Sequence, residues 1–264
     1  MVISSLCDTI QPFAIGLCEV ENRKVLEDLL AQPALKKFNL GIIHHNSPDE
    51  RGIDCALLYN KDIAEEVFDQ HLTINLGKDK TRDILYFKCF VNENFPLWFF
   101  VNHWPSRRGG KEDSDEKRSK AAKALRDKIE NIYLGEPYSR IIAMGDFNDN
   151  PTDASLQLVS AEKSIIPGQQ NLVNLMKPLY EHGKFTLTYK EERYIFDQFI
   201  VSENLLNKKF DYSVLNSEAH IYSPDWLLHK NSEGKVSPKR TYVGTRWVGG
   251  YSDHLPVYFD VVFK

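Results

Sequence analysis

The chain is built from short runs that are apolar on both faces, set between polar stretches in which apolar residues recur every third or fourth position. Residues 13–18, 40–44, 53–59, 83–91, 97–103, 140–144, 194–201 and 255–263 are runs of the first kind and predict strands. Residues 67–76 and 185–189 are weaker examples. In 83–91, Leu85, Phe87 and Cys89 face one way and Ile84, Tyr86 and Phe90 the other, which predicts a central strand covered on both sides. The segment 92–96 predicts a hairpin loop to 97–103. A helical pattern runs over 23–31, with Asn22 as cap and Val25, Leu26, Leu29 and Leu30 as its stripe. A longer helix follows Lys111. Ser114 is its expected cap, Asp115 and Glu116 suit its positive end, and Ala121, Ala122, Leu125, Ile129 and Ile132 form its core face. Shorter helices are predicted at 154–159 and 172–180, and residues 1–10 read as the end of a helix. Residues 216–246 read as a long irregular segment, either functional or mobile. Many strands, interspersed helices, and a mixture of hairpins and helical crossovers predict two packed sheets with helices outside.

Several polar residues stand where this pattern has no place for them. The run 140–144 ends in Gly145-Asp146-Phe147-Asn148-Asp149-Asn150-Pro151, where Asp146 and Asn148, two apart, face the same way on extended chain. Asn150 and Pro151 suit the start of a helix, so the stretch by itself also reads as a polar turn. Glu19 closes the run 13–18, as a surface acid or as a metal ligand at the mouth of the core. Asn102 and His103 close 97–103, ahead of Arg107, Arg108, Gly109 and Gly110 on a loop where guanidinium forks and exposed backbone suit phosphate oxygens. Asp197 sits inside 194–201, where a carboxylate needs a partner, and His254 in Ser252-Asp253-His254-Leu255-Pro256 is a candidate for it. An acid that fixes a histidine's tautomer is a recurring acid–base device. Strand ends of a two-sheet stack converge on one edge, so the five groups predict one site.

Composition narrows the chemistry. The 264 residues are 42% hydrophobic and 12% aromatic, enough for a large core and too apolar for a disordered chain. Net charge is -4, which disfavours a general nucleic-acid glue. Basic residues are local: eight Lys/Arg against four Asp/Glu in 102–126, and Lys235, Lys239, Arg240 and Arg246 with no acid in 235–246. Cys7, Cys18, Cys55 and Cys89 form no CxxC pair and read as buried thiols. No apolar run reaches the ~18 residues of a membrane-crossing helix, and the N-terminus shows no secretory signal pattern.

Leu17-Cys18-Glu19-Val20-Glu21, Val101-Asn102-His103, Gly145-Asp146-Phe147-Asn148-Asp149, Ile195-Phe196-Asp197 and Ser252-Asp253-His254-Leu255-Pro256 occur in the order of, and resemble, the motifs of the endonuclease/exonuclease/phosphatase superfamily. The resemblance runs from residue 13 to the C-terminus. It implies one domain over 1–264 with a four-layer α/β/β/α sandwich: two mixed, mainly antiparallel sheets flanked by helices. It also implies hydrolysis of a phosphoester with Mg²⁺ or Mn²⁺. By matching position, Glu19 and Asp253 are the expected metal ligands, and His103, Asp146, Asn148, Asp197 and His254 the expected catalytic residues. Asn102, Arg107, Arg108, Arg246 and Trp247 are expected to hold substrate, and Trp104 and Tyr251 to stack on a base or line a lipid or sugar pocket. Family members carry an asparagine on a strand before the glutamate motif; none precedes Asn22, so the chain is expected to lack that strand and to be N-terminally truncated.

The expected reaction is in-line attack of an activated water, with Asp146, or His254 held by Asp197, taking its proton. The expected substrate is a nucleic acid, a phospholipid head group or a sugar phosphate, and the expected state a monomer. The alternative is a catalytically impaired domain that binds a phosphate ligand or nucleic acid.

Overall fold

A computed structural model describes residues 1–264 apart from 92–94, 108, 161–169, 209–211 and 264. Its elements begin with α1 (Val2–Thr9), β1 (Ala14–Val20), α2 (Arg23–Leu30), β2 (Leu40–His44), β3 (Asp54–Asn60), β4 (Ala64–Leu72), β5 (Ile84–Val91) and β6 (Phe95–His103). The chain continues through α3 (Lys111–Gly135), β7 (Arg140–Asp146), α4 (Ala154–Ser160), β8 (Leu172–Asn174), α5 (Lys177–Glu181), β9 (Leu187–Tyr189), β10 (Glu192–Tyr194) and β11 (Asp197–Ser202). Short strands close it: β12 (Tyr212–Val214), β13 (His220–Ile221), β14 (Leu228–Lys230), β15 (Val236–Pro238), β16 (Tyr242–Val243), β17 (Arg246–Trp247), β18 (Val257–Tyr258) and β19 (Val261–Phe263).

The period-two alternation of the central strands sorts their side chains into two cores. Leu85, Phe87, Leu97, Phe99, Ile142 and Met144 enter one core, with Leu57 and Tyr59 of β3 opposite them. Ile84, Tyr86, Trp98, Phe100, Ile141 and Ala143 enter the other, against Ala121, Leu125 and Ile129 of α3 and Leu156 of α4. Each such fully buried large side chain contributes about 1.5–3 kcal/mol. The six-stranded sheet runs β4-β5-β6-β7-β11-β8, and a three-stranded sheet β1-β3-β2 faces it. Leu26 of α2 packs with Val20 and Ala56 on that smaller sheet's outer side. The layers are therefore helix, sheet, sheet, helix, as the sequence predicts.

The differences from expectation are local. Asn22 caps α2 as predicted, accepting from Val25 N at 3.1 Å, but Ser114 does not cap α3. The helix starts earlier, at Lys111, and Ser114 Oγ donates back to Gly110 O at 2.7 Å. Asn150 does not cap α4; its Oδ1 accepts from Ile195 N at 3.1 Å and ties the turn to the next strand. Residues 172–180 are not one helix, because β8 pairs with the exposed edge of β11 before α5 begins. Residues 194–201 split likewise: β10 turns back on β9, and β11 starts afresh at Asp197. The last run becomes β18, paired with β13, and β19, paired with β12. The segment 216–246 contains β13 to β17 and short 3₁₀ turns. The expected loop at 92–96 lies partly outside the described residues.

Candidate active site

Two strand registers, joining three strands, bring the central residues into one row. In the parallel pair β6–β7, Asn102 lies opposite Gly145 and His103 opposite Asp146; in the antiparallel pair β7–β11, Asp146 lies opposite Asp197. Gly145 has φ 127°, and a Cβ there would stand 2.0 Å from the carbonyl oxygen of Asn102. Only glycine lets the strands close at that point, so Asp146 is delivered to the row by a backbone that other residues cannot adopt. Beside the row, β1 bulges against β3: Leu17 pairs with Ala56 and Val20 with Asp54, leaving one residue extra. Glu19 sits in this bulge at φ 59°, and bulges commonly re-aim a side chain. His254 arrives from the C-terminal side, bridging to Leu187.

Glu19, His103, Asp146, Asn148, Asp197, Asp253 and His254 all line one cavity of about 850 Å³. Its polar end lies at the row; its apolar remainder continues between β1 and β18–β19, under α1. On that side β1 has no strand partner among the described residues.

Asp146 is buried, accepting from Asn148 N at 2.9 Å and from Asn148 Nδ2 at 3.2 Å. Burial raises its pKa, the charge of His254 lowers it and Asp197 raises it further, leaving it at about 6. Asn148 reaches the left-handed region at φ 52° to make these contacts, and its Nδ2 also donates to Trp104 O at 3.0 Å. Both amide hydrogens of Asn148 are thus engaged, and its amide oxygen is the free polar atom. Asp197 Oδ2 stands 2.8 Å from His254 Nδ1, and His254 N donates to Ser252 Oγ at 3.1 Å. Burial pulls the His254 pKa down, but the carboxylates of Asp197, Asp146 and Asp253 overcome it and lift the group to about 10. His103 is driven the other way, well below the usual imidazole value, by burial and by the positive charges of Arg82, Arg51 and His254. Its Nε2 lies 3.6 Å from Asp146 Oδ2, too far for a hydrogen bond. At neutral pH the row holds a neutral histidine, an ionised aspartate and an imidazolium paired with a second aspartate.

The expected substrate-binding residues that the structure describes, Asn102, Arg107, Arg246 and Trp247, lie outside the cavity lining. Asn102 is fully buried. Its amide donates to Phe100 O and Met144 O at 3.2 and 3.3 Å and accepts from Trp104 Nε1 at 3.0 Å, so it braces the strand ends below the cavity. Trp104 is fully buried edge-on to Phe147 and presents no stacking face. Arg107 donates to Asn148 O at 2.9 Å, Asp149 at 2.8 Å and Asp153 at 2.6 Å, and lies over the ring of Phe196 at 4.6 Å. It clamps the loop that carries Asn148. Arg246 and Trp247 form an exposed ribbon with Tyr242 and Val243, outside the cavity lining. Tyr251 does line the cavity. Arg108 lies outside the described residues.

Sequence reasoning missed Arg51 and Ser106, which line the cavity, and Arg82, which supports it. Arg82 is buried against Asp49 at 3.1 Å and donates to His103 O at 3.2 Å and Trp104 O at 2.6 Å. A buried arginine at the foot of an apolar run, preceding Asp83, was the available signal.

The oxygen donors at the cavity mouth, Glu19, Asp253 and Asn148 Oδ1, suit in kind a hard cation that takes few protein ligands. Glu19 is nonetheless engaged by Arg51 Nη2 at 2.8 Å. Among the described residues no three His, Cys, Asp or Glu side chains are grouped to hold a metal ion.

A sequence profile described as Endonuclease/Exonuclease/phosphatase family matches residues 1–262. Among solved structures, the human Nocturnin catalytic domain with bound sulfate is similar at TM-score 0.66 and 20% identity, covering 100% of this chain and 85% of that one. A mannosyl-6-phosphatase of Bacteroides thetaiotaomicron gives TM-score 0.67 and 16% identity, covering 99% and 90%. Truncated TDP2 of Caenorhabditis elegans gives 0.63 and 14%, covering 100% and 89%. At these identities the likeness establishes the fold alone. No curated protein matches the chain.

Proposed function

Because the chain belongs to the endonuclease/exonuclease/phosphatase family, we propose that it hydrolyses a phosphoester by in-line attack of water, with Asp146 as general base and His254 as the protonated partner. The observation that carries this reading is the row itself: Asp146 lies opposite both His103 and Asp197, and Asp197 Oδ2 stands 2.8 Å from His254 Nδ1. Asp146 at about 6 is ionised and still a competent base at neutral pH. His254 at about 10 keeps its proton and can neutralise charge on a phosphoryl oxygen or protonate the leaving group.

Asn148 orients the base through its backbone and side-chain N–H groups. Asp197 holds the imidazolium of His254. His103, kept neutral, adds polarity beside the base without adding charge. Mg²⁺ or Mn²⁺, held by Glu19 with Asp253, would polarise the phosphoryl oxygen and offset charge on the leaving oxygen.

Hydrolysis of bis(p-nitrophenyl) phosphate with Mg²⁺ or Mn²⁺ tests this. Asp146→Asn and His254→Ala are each expected to lower the rate about 10²–10⁴-fold; unchanged rates in both would sink the proposal. The Glu19–Arg51 pair favours a second reading, a domain that binds phosphate ligands without turnover. Saturable binding with no hydrolysis by the parent chain would select it. Nucleic acid, phospholipid head groups and sugar phosphates are the substrate classes to compare.

A further inference from the structure

The residue that departs furthest from its expected role is Glu19, and its partner explains how. Arg51 comes from the loop between β2 and β3, and that loop is firmly anchored. Buried Asp54 accepts from Ser47 N at 2.8 Å and Ser47 Oγ at 2.7 Å. Asp49 accepts from Arg51 N at 3.0 Å, and its side chain pairs with the same Arg82 that holds the carbonyl of His103. The backbone of Arg51 is thus fixed, through Asp49 and Arg82, to the strand end carrying the first histidine. Its guanidinium is about half exposed and is the one Lys or Arg side chain among the described residues lining the cavity. Arg107 and Arg82 are committed to internal carboxylates.

We propose that Arg51 is the phosphate-binding residue of this site and that its contact with Glu19 is an exchangeable latch: a phosphoester takes the guanidinium, and the released carboxylate takes the divalent cation. The proposal rests on the hydrolase reading above. An exposed ion pair with side chains 52% and 56% accessible is held weakly, whereas a guanidinium fork matches phosphate oxygens with two parallel bonds. A cation arriving alone must compete with Arg51 for Glu19. Once an anion covers Arg51 that competition ends, so anion and cation bind cooperatively, and the coupling is reciprocal.

The test is Mn²⁺ binding, followed by the electron paramagnetic resonance of free Mn²⁺, with and without methylphosphonate, a phosphate-ester mimic that cannot turn over. Methylphosphonate is expected to tighten Mn²⁺ binding by about fivefold or more. Arg51→Gln is expected to bind Mn²⁺ more tightly than the parent in the absence of the anion and to lose the coupling; Glu19→Gln is expected to weaken Mn²⁺ binding under both conditions. Equal Mn²⁺ affinity with and without methylphosphonate, coupling that survives in Arg51→Gln, or no Mn²⁺ binding in either condition would overturn the proposal. The hydrolase reading fails separately: rates unchanged in both Asp146→Asn and His254→Ala refute that reading, while an Arg51→Gln protein with unchanged KM and an inactive Asp146→Asn refutes the latch alone.

Discussion

Replacing Asp146 by Asn should abolish activity and stabilise the protein, but only above the range in which Asp146 titrates. Asp146 is pushed from 3.8 to about 6, chiefly by burial, with its side chain 12% exposed. Folding therefore favours its protonated form. The stability this group contributes is fully present below pH 4 and is lost as pH rises through 6. The loss amounts to about 3 kcal/mol at pH 8. Asn carries no charge and escapes it. The amide keeps an acceptor for Asn148 N but cannot accept at both positions, so the contact from Asn148 Nδ2 is lost, at about 1 kcal/mol. The net expectation is a gain of about 2 kcal/mol at pH 8 that turns into a loss of up to about 1 kcal/mol at pH 4. Urea unfolding of both proteins at the two pH values reads this directly, alongside the phosphodiester assay. A variant destabilised equally at pH 4 and pH 8 would show that burial does not disfavour the Asp146 anion, and the assignment of Asp146 as a tuned base would fall with it.

Three further outcomes follow from the same geometry. The pH profile of kcat/KM should rise through about 6 as Asp146 ionises and fall through about 10 as His254 loses its proton; in Asp197→Asn the falling limb should move to lower pH, and a limb that stays put would remove Asp197 from control of His254. Arg107→Ala should cost about 1–3 kcal/mol in urea unfolding, because it leaves buried Asp149 with Arg118 and Ser155 alone and frees the Asn148 carbonyl; a raised KM at unchanged stability would instead make Arg107 a substrate ligand. Gly145→Ala should fail to accumulate as folded protein, since its Cβ meets the Asn102 carbonyl oxygen at 2.0 Å; near-native circular dichroism and melting would show that the β6–β7 strand ends can separate.

The layered fold was legible because its signal is repeated along each strand. Alternation in 83–91 and 97–103 is dense enough to place both strands at the sheet centre, and α3 buries the five residues its pattern selects. The short elements were not legible, because their state is set by a neighbour. Residues 172–174 become a strand only where β11 offers an edge. The convergence of polar strand ends was legible for a related reason: an acid or histidine at the end of an apolar run must meet something at the sheet mouth, and His103, Asp146 and Asp197 do share one row.

What the sequence could not separate is a cation facing a ligand from a cation facing the protein's own acids. Arg107 precedes a glycine-containing loop and carries every outward mark of a phosphate ligand, yet Asp149 and Asp153 claim it. Asp149 belongs to the stretch that begins at Gly145 and Asp153 follows two residues after its end, so the segment that supplies Asp146 also consumes the nearest arginine. The reason is energetic. Buried Asp149 is costly unless both its oxygens are met, and Arg107 takes Oδ1 while Arg118 takes Oδ2, whereas an exposed phosphate contact returns little until substrate is present. An arginine within reach of buried acids is therefore spent on structure. The arginine left for a ligand is the one whose partner is exposed and weakly held, and at this site that is Arg51, whose Glu19 partner is 56% accessible. The same rule sorts Asn102 from Asn148. The amide with both ends satisfied inside the core braces the strands, and the one that lines the cavity holds Asp146.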